Sequence, residues 1–191
     1  MSALCKKSRG DVVLYLVLAM ALLVCVLGWM LVRDESKELQ NLAARTNTAW
    51  LSVRTCLLQR NAVLRLAARM LSKEEGADTA MVKGMRRRLG EVENLLQEDF
   101  SSPSVVIAES AVEEDVTKLL RAISGLPAPR FEKLGDLLAS SQNRLVLERI
   151  KYDRRARLQR RKMASLQGVL VSRMIKIKMP AVWGPAASQH G

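Results

Sequence analysis

VVLYLVLAMALLVCVLGWMLV, residues 12–32, runs for 21 positions without a charged side chain. At about 1.5 Å per residue a helix of this length spans roughly 30 Å, the thickness of a bilayer's hydrocarbon core. A helix buried in a soluble domain usually keeps one polar stripe, because few small folds can cover every side of it. This run is apolar all round, so it reads as a transmembrane helix bounded by Val12 and Val32. Tyr15 and Trp29 lie near its two ends, where amphipathic rings favour the headgroup layer. A secretory signal has a shorter apolar core of about 7 to 15 residues, and Gly28, Trp29 and Met30 make a poor cleavage context. Val24 before Cys25 is not the small residue of a lipoprotein site. The expectation is an uncleaved anchor.

Outward from the anchor, Lys6, Lys7 and Arg9 precede the span, and Arg33 and Lys37 follow it. Basic residues favour the cytoplasmic side. The small excess before the span places the amino terminus in the cytoplasm and the long remainder outside. Residues 1–11 then form a basic tail, 12–32 the span, 33–178 a helical domain and 179–191 a disordered tail.

The net charge of +12 is uneven. Residues 34–148 are near neutral, whereas 149–178 carry 11 basic residues against Asp153 alone. Only 4% of residues are aromatic, and no Pro or Gly occurs between Trp29 and Glu75. Both features suit an all-α fold: a transmembrane helix followed by an elongated antiparallel helical bundle.

Past the span, Leu39, Leu42, Thr46, Trp50, Val53, Leu57, Leu64, Ala67 and Leu71 recur three and four apart, with Arg60 as an interruption. That alternation is a coiled-coil-like packing seam on a long helix, one that continues the membrane helix directly. Gly76 ends it, and Asp78 or Thr79 caps a second helix to about Gln97. Met81, Met85, Leu89, Val92 and Leu96 form its inner face, and Arg86, Arg87 and Arg88 turn to solvent. A third helix is expected from about Val105 to Ile123 after a loop at 100–104. Its carboxylates Glu109, Glu113, Glu114 and Asp115 come early and its cations late, the order favoured by the helix dipole. A fourth helix begins near Arg130 and runs unbroken to Gln167, packing through Phe131, Leu134, Leu138, Leu145 and Ile150, with Tyr152 further along the same seam. The alternation from Met174 to Met179 reads as extended chain.

No catalytic, cofactor or metal site is expected. The only histidine is His190, Cys5, Cys25 and Cys56 form no evident pair, and there is no phosphate-binding glycine loop or zinc motif. Cys56 reads as a buried structural thiol, and the four acids of the third helix as a helix face. The chemistry-bearing feature is the basic segment. Arg154, Arg157 and Arg161 share a face, with Arg155, Arg160 and Lys162 beside them, a pattern that suits contact with an anionic surface as well as a solvated helix end. Nucleic acid is disfavoured as a partner, because aromatics other than Tyr152 are missing from the run and the domain is expected outside the cell. A protein partner or a second copy of the chain is expected on the helical seam.

Several stretches recur in a familiar order: Ala49 and Trp50, then Gln59 and Arg60, then Val63 to Ala67. Farther on come Leu126 and Pro127, then Asn143, Arg144 and Leu145, and then Arg149, Tyr152 and Asp153. In order and spacing the chain resembles, over about residues 37–178, the LemA family of bacterial membrane-anchored helical proteins. Arg65 and Leu66 replace that family's Pro and Asn, Leu166 and Gln167 stand where Phe-Pro is usual, and Gln159 and Arg160 replace a second Tyr-Asn. The resemblance implies an elongated bundle anchored in the bacterial cell membrane, with no catalytic residues known for the family as a class. One relative is associated with building magnetosome membranes, which implies a role in membrane or organelle organisation.

Overall fold

The computed structural model describes residues 2–74, 79–97, 102–124 and 129–183. They form five helices and no strand: α1 (Ser2–Leu71), α2 (Thr79–Gln97), α3 (Pro103–Ser124), α4 (Pro129–Ala164) and α5 (Leu166–Met174). The expected stop at Gly76, the cap at Asp78, the loop at Phe100 and Ser101 and the break at 125–128 lie outside the described residues. Pro103 and Pro129 each occupy a first helical position, where the missing N–H has no intrahelical acceptor to lose. α1 also takes in residues 2–11, expected as a tail.

α1 is one helix with two surfaces. From Val12 to Val32 its side chains are exposed on every side, and α1 is long and apolar enough to span a membrane. From Leu39 onward one face is buried, because α4 lies antiparallel along it. Trp50 meets Tyr152, Arg155 reaches Arg45, and Lys162 reaches Glu35 and Glu38, so ascending α1 matches descending α4. α2 and α3 form a second antiparallel pair against this one, joined by Arg88 to Asp115 through two hydrogen bonds of 2.6 Å. Trp50, Val53, Leu57, Leu64, Leu71, Leu138, Leu145 and Tyr152 are all buried, as the seam requires. Each such side chain removed from water contributes about 1.5 to 3 kcal/mol.

Five further expectations need correction. On α2, Arg86 and Arg87 face solvent as expected, but Arg88 is half-buried on Asp115. On α2, Val82 is buried where Met81 was expected, and Met81 is half-buried at the edge. On α4 the seam steps from Leu145 to Arg149, Tyr152, Ala156, Gln159 and Met163, so Ile150 points outward and is 61% exposed. Arg149 takes the inner position because carboxylates from α3 face it.

The fourth helix also stops at Ala164, without Pro or Gly. Ser165 adopts an extended backbone and its Oγ accepts from the Gly168 N–H at 3.0 Å, capping α5. A side chain at 168 would meet the Lys162 carbonyl oxygen at 1.9 Å, so the corner needs glycine there. The turn lets Val171 pack on Leu39 and Met163 in a small separate apolar cluster.

Finally, residues 179–183, expected within a disordered tail, lie against the bundle. Trp183 stacks on Trp50 at 5.4 Å and meets Tyr152 edge-on at 5.6 Å. Tyr152 Oη donates to the Ala181 carbonyl at 2.9 Å, and Asp153 accepts from the Trp183 N–H at 2.9 Å. Residues 184–191 lie outside the described ones.

Candidate functional site

The basic segment sits at the end of the bundle nearest the apolar run. Lys162 fixes it there: its Nζ donates to Glu38 at 2.8 Å and Glu35 at 2.9 Å. These hydrogen bonds, Glu38's first and Glu35's second, raise the lysine's pKa above its ordinary value. Glu35 and Glu38 follow Val32 by three and six residues, about 5 to 9 Å along the helix. The charge of Lys162, expected to face an anionic surface, is therefore matched within the protein and serves to hold α4 against α1.

The other expected contact residues divide by exposure. Arg154, Arg155, Arg160 and Arg161 are exposed and Arg157 is half-buried. Arg155 Nη1 donates to the Arg45 carbonyl at 3.3 Å, lying across the groove between α4 and α1. That groove encloses about 530 Å³, with Leu42 and Leu158 as apolar walls and Arg45, Lys151, Arg154 and Arg155 as cationic ones. Lys151 also pairs with Glu148 at 2.6 Å. The arrangement offers an anion several donors over an apolar floor.

A second charged group, not expected as a unit, lies in the core. Arg60 and Glu109 are both fully buried. The guanidinium engages both carboxylate oxygens, Nη2 to Oε2 at 2.9 Å, and also Asn61 Oδ1 at 3.0 Å. Arg149 Nη2 adds a bond of 2.6 Å to the same carboxylate, its Nη1 pairs with Glu113, and its guanidinium lies over the Trp183 ring at 5.3 Å. Glu109 and Asp115 are thus core ion-pair partners rather than a solvated face. The signal in the sequence was Arg60 itself, a cation on seam spacing between Leu57 and Leu64, where burial demands a partner. Among the described residues, no three His, Cys, Asp or Glu side chains are grouped to hold a metal ion.

No protein-family model, curated protein or solved structure matches this chain.

Proposed function

We propose that this chain is a non-enzymatic, single-pass protein of the bacterial cell membrane, a divergent LemA-like scaffold that presents a helical bundle to a protein partner or a second copy of itself. The observation that carries the reading is the unbroken course of α1, from an apolar run exposed on every side into the buried seam of the bundle. A continuous helix transmits the tilt of the anchor to the domain, as a scaffold needs. Among the residues that carry the family resemblance, Trp50 and Tyr152 meet in the core, and the helix break at 165–166 falls beside the register where the family has Phe-Pro.

The test is crosslinking of the full chain in native membranes. Discrete oligomers or a constant partner are expected; freely diffusing monomers alone would count against the scaffold. The excess of basic residues before the span favours an amino terminus in the cytoplasm and the bundle outside. Ser140→Cys should then react with an impermeant thiol reagent in intact cells, and protection until permeabilisation would reverse the topology.

A second reading makes the basic segment 149–178 an anionic-lipid contact used in membrane or organelle organisation. Its support is position, since Lys162 ties the segment close to the end of the apolar run. Each basic residue near an anionic leaflet contributes about 1 kcal/mol. Neutralising Arg154, Arg155, Arg157, Arg160 and Arg161 should weaken vesicle binding and its salt dependence; unchanged binding would remove the idea.

A further inference from the structure

α4 descends toward the apolar run and ends at Ala164, α5 occupies the turn-around, and the chain then reverses and climbs the bundle. The reversal is at Lys176, whose positive φ of 53° makes it the one left-handed non-glycine residue among those described. The climb is pinned by three contacts in rising order: Gln159 to the Lys178 carbonyl, Tyr152 to the Ala181 carbonyl and the Trp183 N–H to Asp153. α5 is therefore at the base of the bundle, next to where the apolar run ends. Leu39, on which Val171 packs, follows Val32 by seven residues, about 10 Å along α1.

The two sides of α5 differ. Gly168, Val171 and Ser172 face the bundle and are buried. On the opposite side Leu170 is 68% and Met174 71% exposed, one turn apart, with Val169 beside them. Arg173 and Lys176, next to this apolar patch along the chain, are exposed, as is Arg161 near the end of α4. The nearby acids Glu35 and Glu38 already engage Lys162. An apolar pair with cations beside it is the pattern of a helix that lies in a membrane interface, where the side chains enter the acyl boundary and the cations meet anionic headgroups. The headgroup layer is about 5 to 8 Å deep on each side, so a helix packed on Leu39, about 10 Å along α1 from the end of the span, lies close to it.

We propose that α5 is a peripheral membrane foot: Leu170 and Met174 insert into the headgroup region of the leaflet from which α1 emerges, and the neighbouring cations select anionic lipid. Two contacts with one bilayer, the anchor and the foot, fix the rotation of the bundle about α1 as well as its height. This rests on the membrane-anchored reading and adds to it a surface made by tertiary folding.

The test is depth-dependent quenching with the full chain in vesicles of phosphatidylcholine and phosphatidylglycerol. A cysteine-free background, with Cys5, Cys25 and Cys56 replaced by Ala, carries single labels through Leu170→Cys, Met174→Cys, Ser140→Cys or Val24→Cys, each modified with an environment-sensitive fluorophore. All four positions are exposed, so labelling leaves the core intact. Lipids brominated near the headgroup should quench the labels at 170 and 174 at least about twofold. The label at 140 should be unaffected, and that at 24 should respond to lipids brominated deep in the chains. Quenching at 24 with labels at 170 and 174 as bright as that at 140 would overturn the foot and leave the anchor standing. Quenching at 140 equal to that at 170 would mean that the whole domain lies flat, which also overturns it. No quenching at 24 would remove the anchor and the foot together. Replacing phosphatidylglycerol by phosphatidylcholine should reduce quenching at 170 and 174, and no reduction would overturn the selection of anionic lipid.

Discussion

The middle of the bundle and the end nearest the apolar run are built from the same kind of residue under opposite rules. Around Arg60 and Arg149 the guanidinium groups are buried on the Glu109 carboxylate, with half-exposed Glu113 as the second anion, so each guanidinium is a structural part. Around Arg154, Arg160 and Arg161 the charges face solvent, so they cost the fold little and remain free to meet an outside anion. Arg149 heads the basic run, yet it belongs with the core. The difference teaches that a run of arginines is a mixture until the packing face is known.

The comparison breaks most visibly at Glu109. Glu109→Ala leaves Arg60 fully buried and Arg149 nearly so with a shared counter-charge removed, and should cost about 3 to 5 kcal/mol in denaturant unfolding followed by circular dichroism. Pairing Arg60→Met with Glu109→Leu should recover part of that loss, because an apolar pair needs no desolvation of charge while Arg149 keeps Glu113 as its counter-charge. If the double variant is as unstable as the single one, the network holds the fold by geometry instead of by charge balance.

Next in size is Trp183→Ala, expected to cost about 2 kcal/mol, less than a fully buried tryptophan because the ring is only half-buried. A tail without packing would give no change. Ser165→Ala should lose about 1 kcal/mol of helix capping. Gly168→Ala should do more harm to the position of α5 than to overall stability, since the new methyl collides with the Lys162 carbonyl. Protease sensitivity at 165–178, compared with global unfolding, separates the two effects.

At the end of the bundle, Arg154→Gln, Arg160→Gln and Arg161→Gln together should change stability by no more than about 0.5 kcal/mol, which sharpens the contrast with the core.

The smallest effects are those of pH. Lys162 has a raised pKa through Glu38 and Glu35, so its stabilising contribution is complete below the unfolded lysine value and disappears as pH rises through the raised one. Glu114 is held below its ordinary value, chiefly by a hydrogen bond from Lys118, so its contribution is complete above the unfolded carboxylate value and is lost as pH falls through the lowered one. Melting of the Lys162→Met variant should lose the alkaline limb, and that of Glu114→Gln a slight acid limb.

The periodicity alone carried the helices and most of the core. Apolar residues three and four apart define a face whatever the helix packs against: Trp50, Val53, Leu57, Leu64, Leu71, Leu138, Leu145 and Tyr152 are buried, while Leu42 is half-buried and Ile150 exposed. The candidate site was legible only as charge. Arg157 and Lys162 cannot be told from Arg154 in sequence, because whether a side chain at the helix flank is covered depends on the neighbouring helix.

By itself the sequence determined an all-helical chain, one helix long and apolar enough to cross a bilayer, and a basic carboxy-terminal stretch. All three follow from local composition and spacing, which act within a few turns of one helix. The tertiary structure alone decided that Arg60, Glu109 and Arg149 share one buried network, that α4 turns at Ser165, and that Trp183 closes over Trp50 and Tyr152. Those outcomes pair residues tens of positions apart, and no local pattern records which distant carboxylate, carbonyl or ring a side chain will meet.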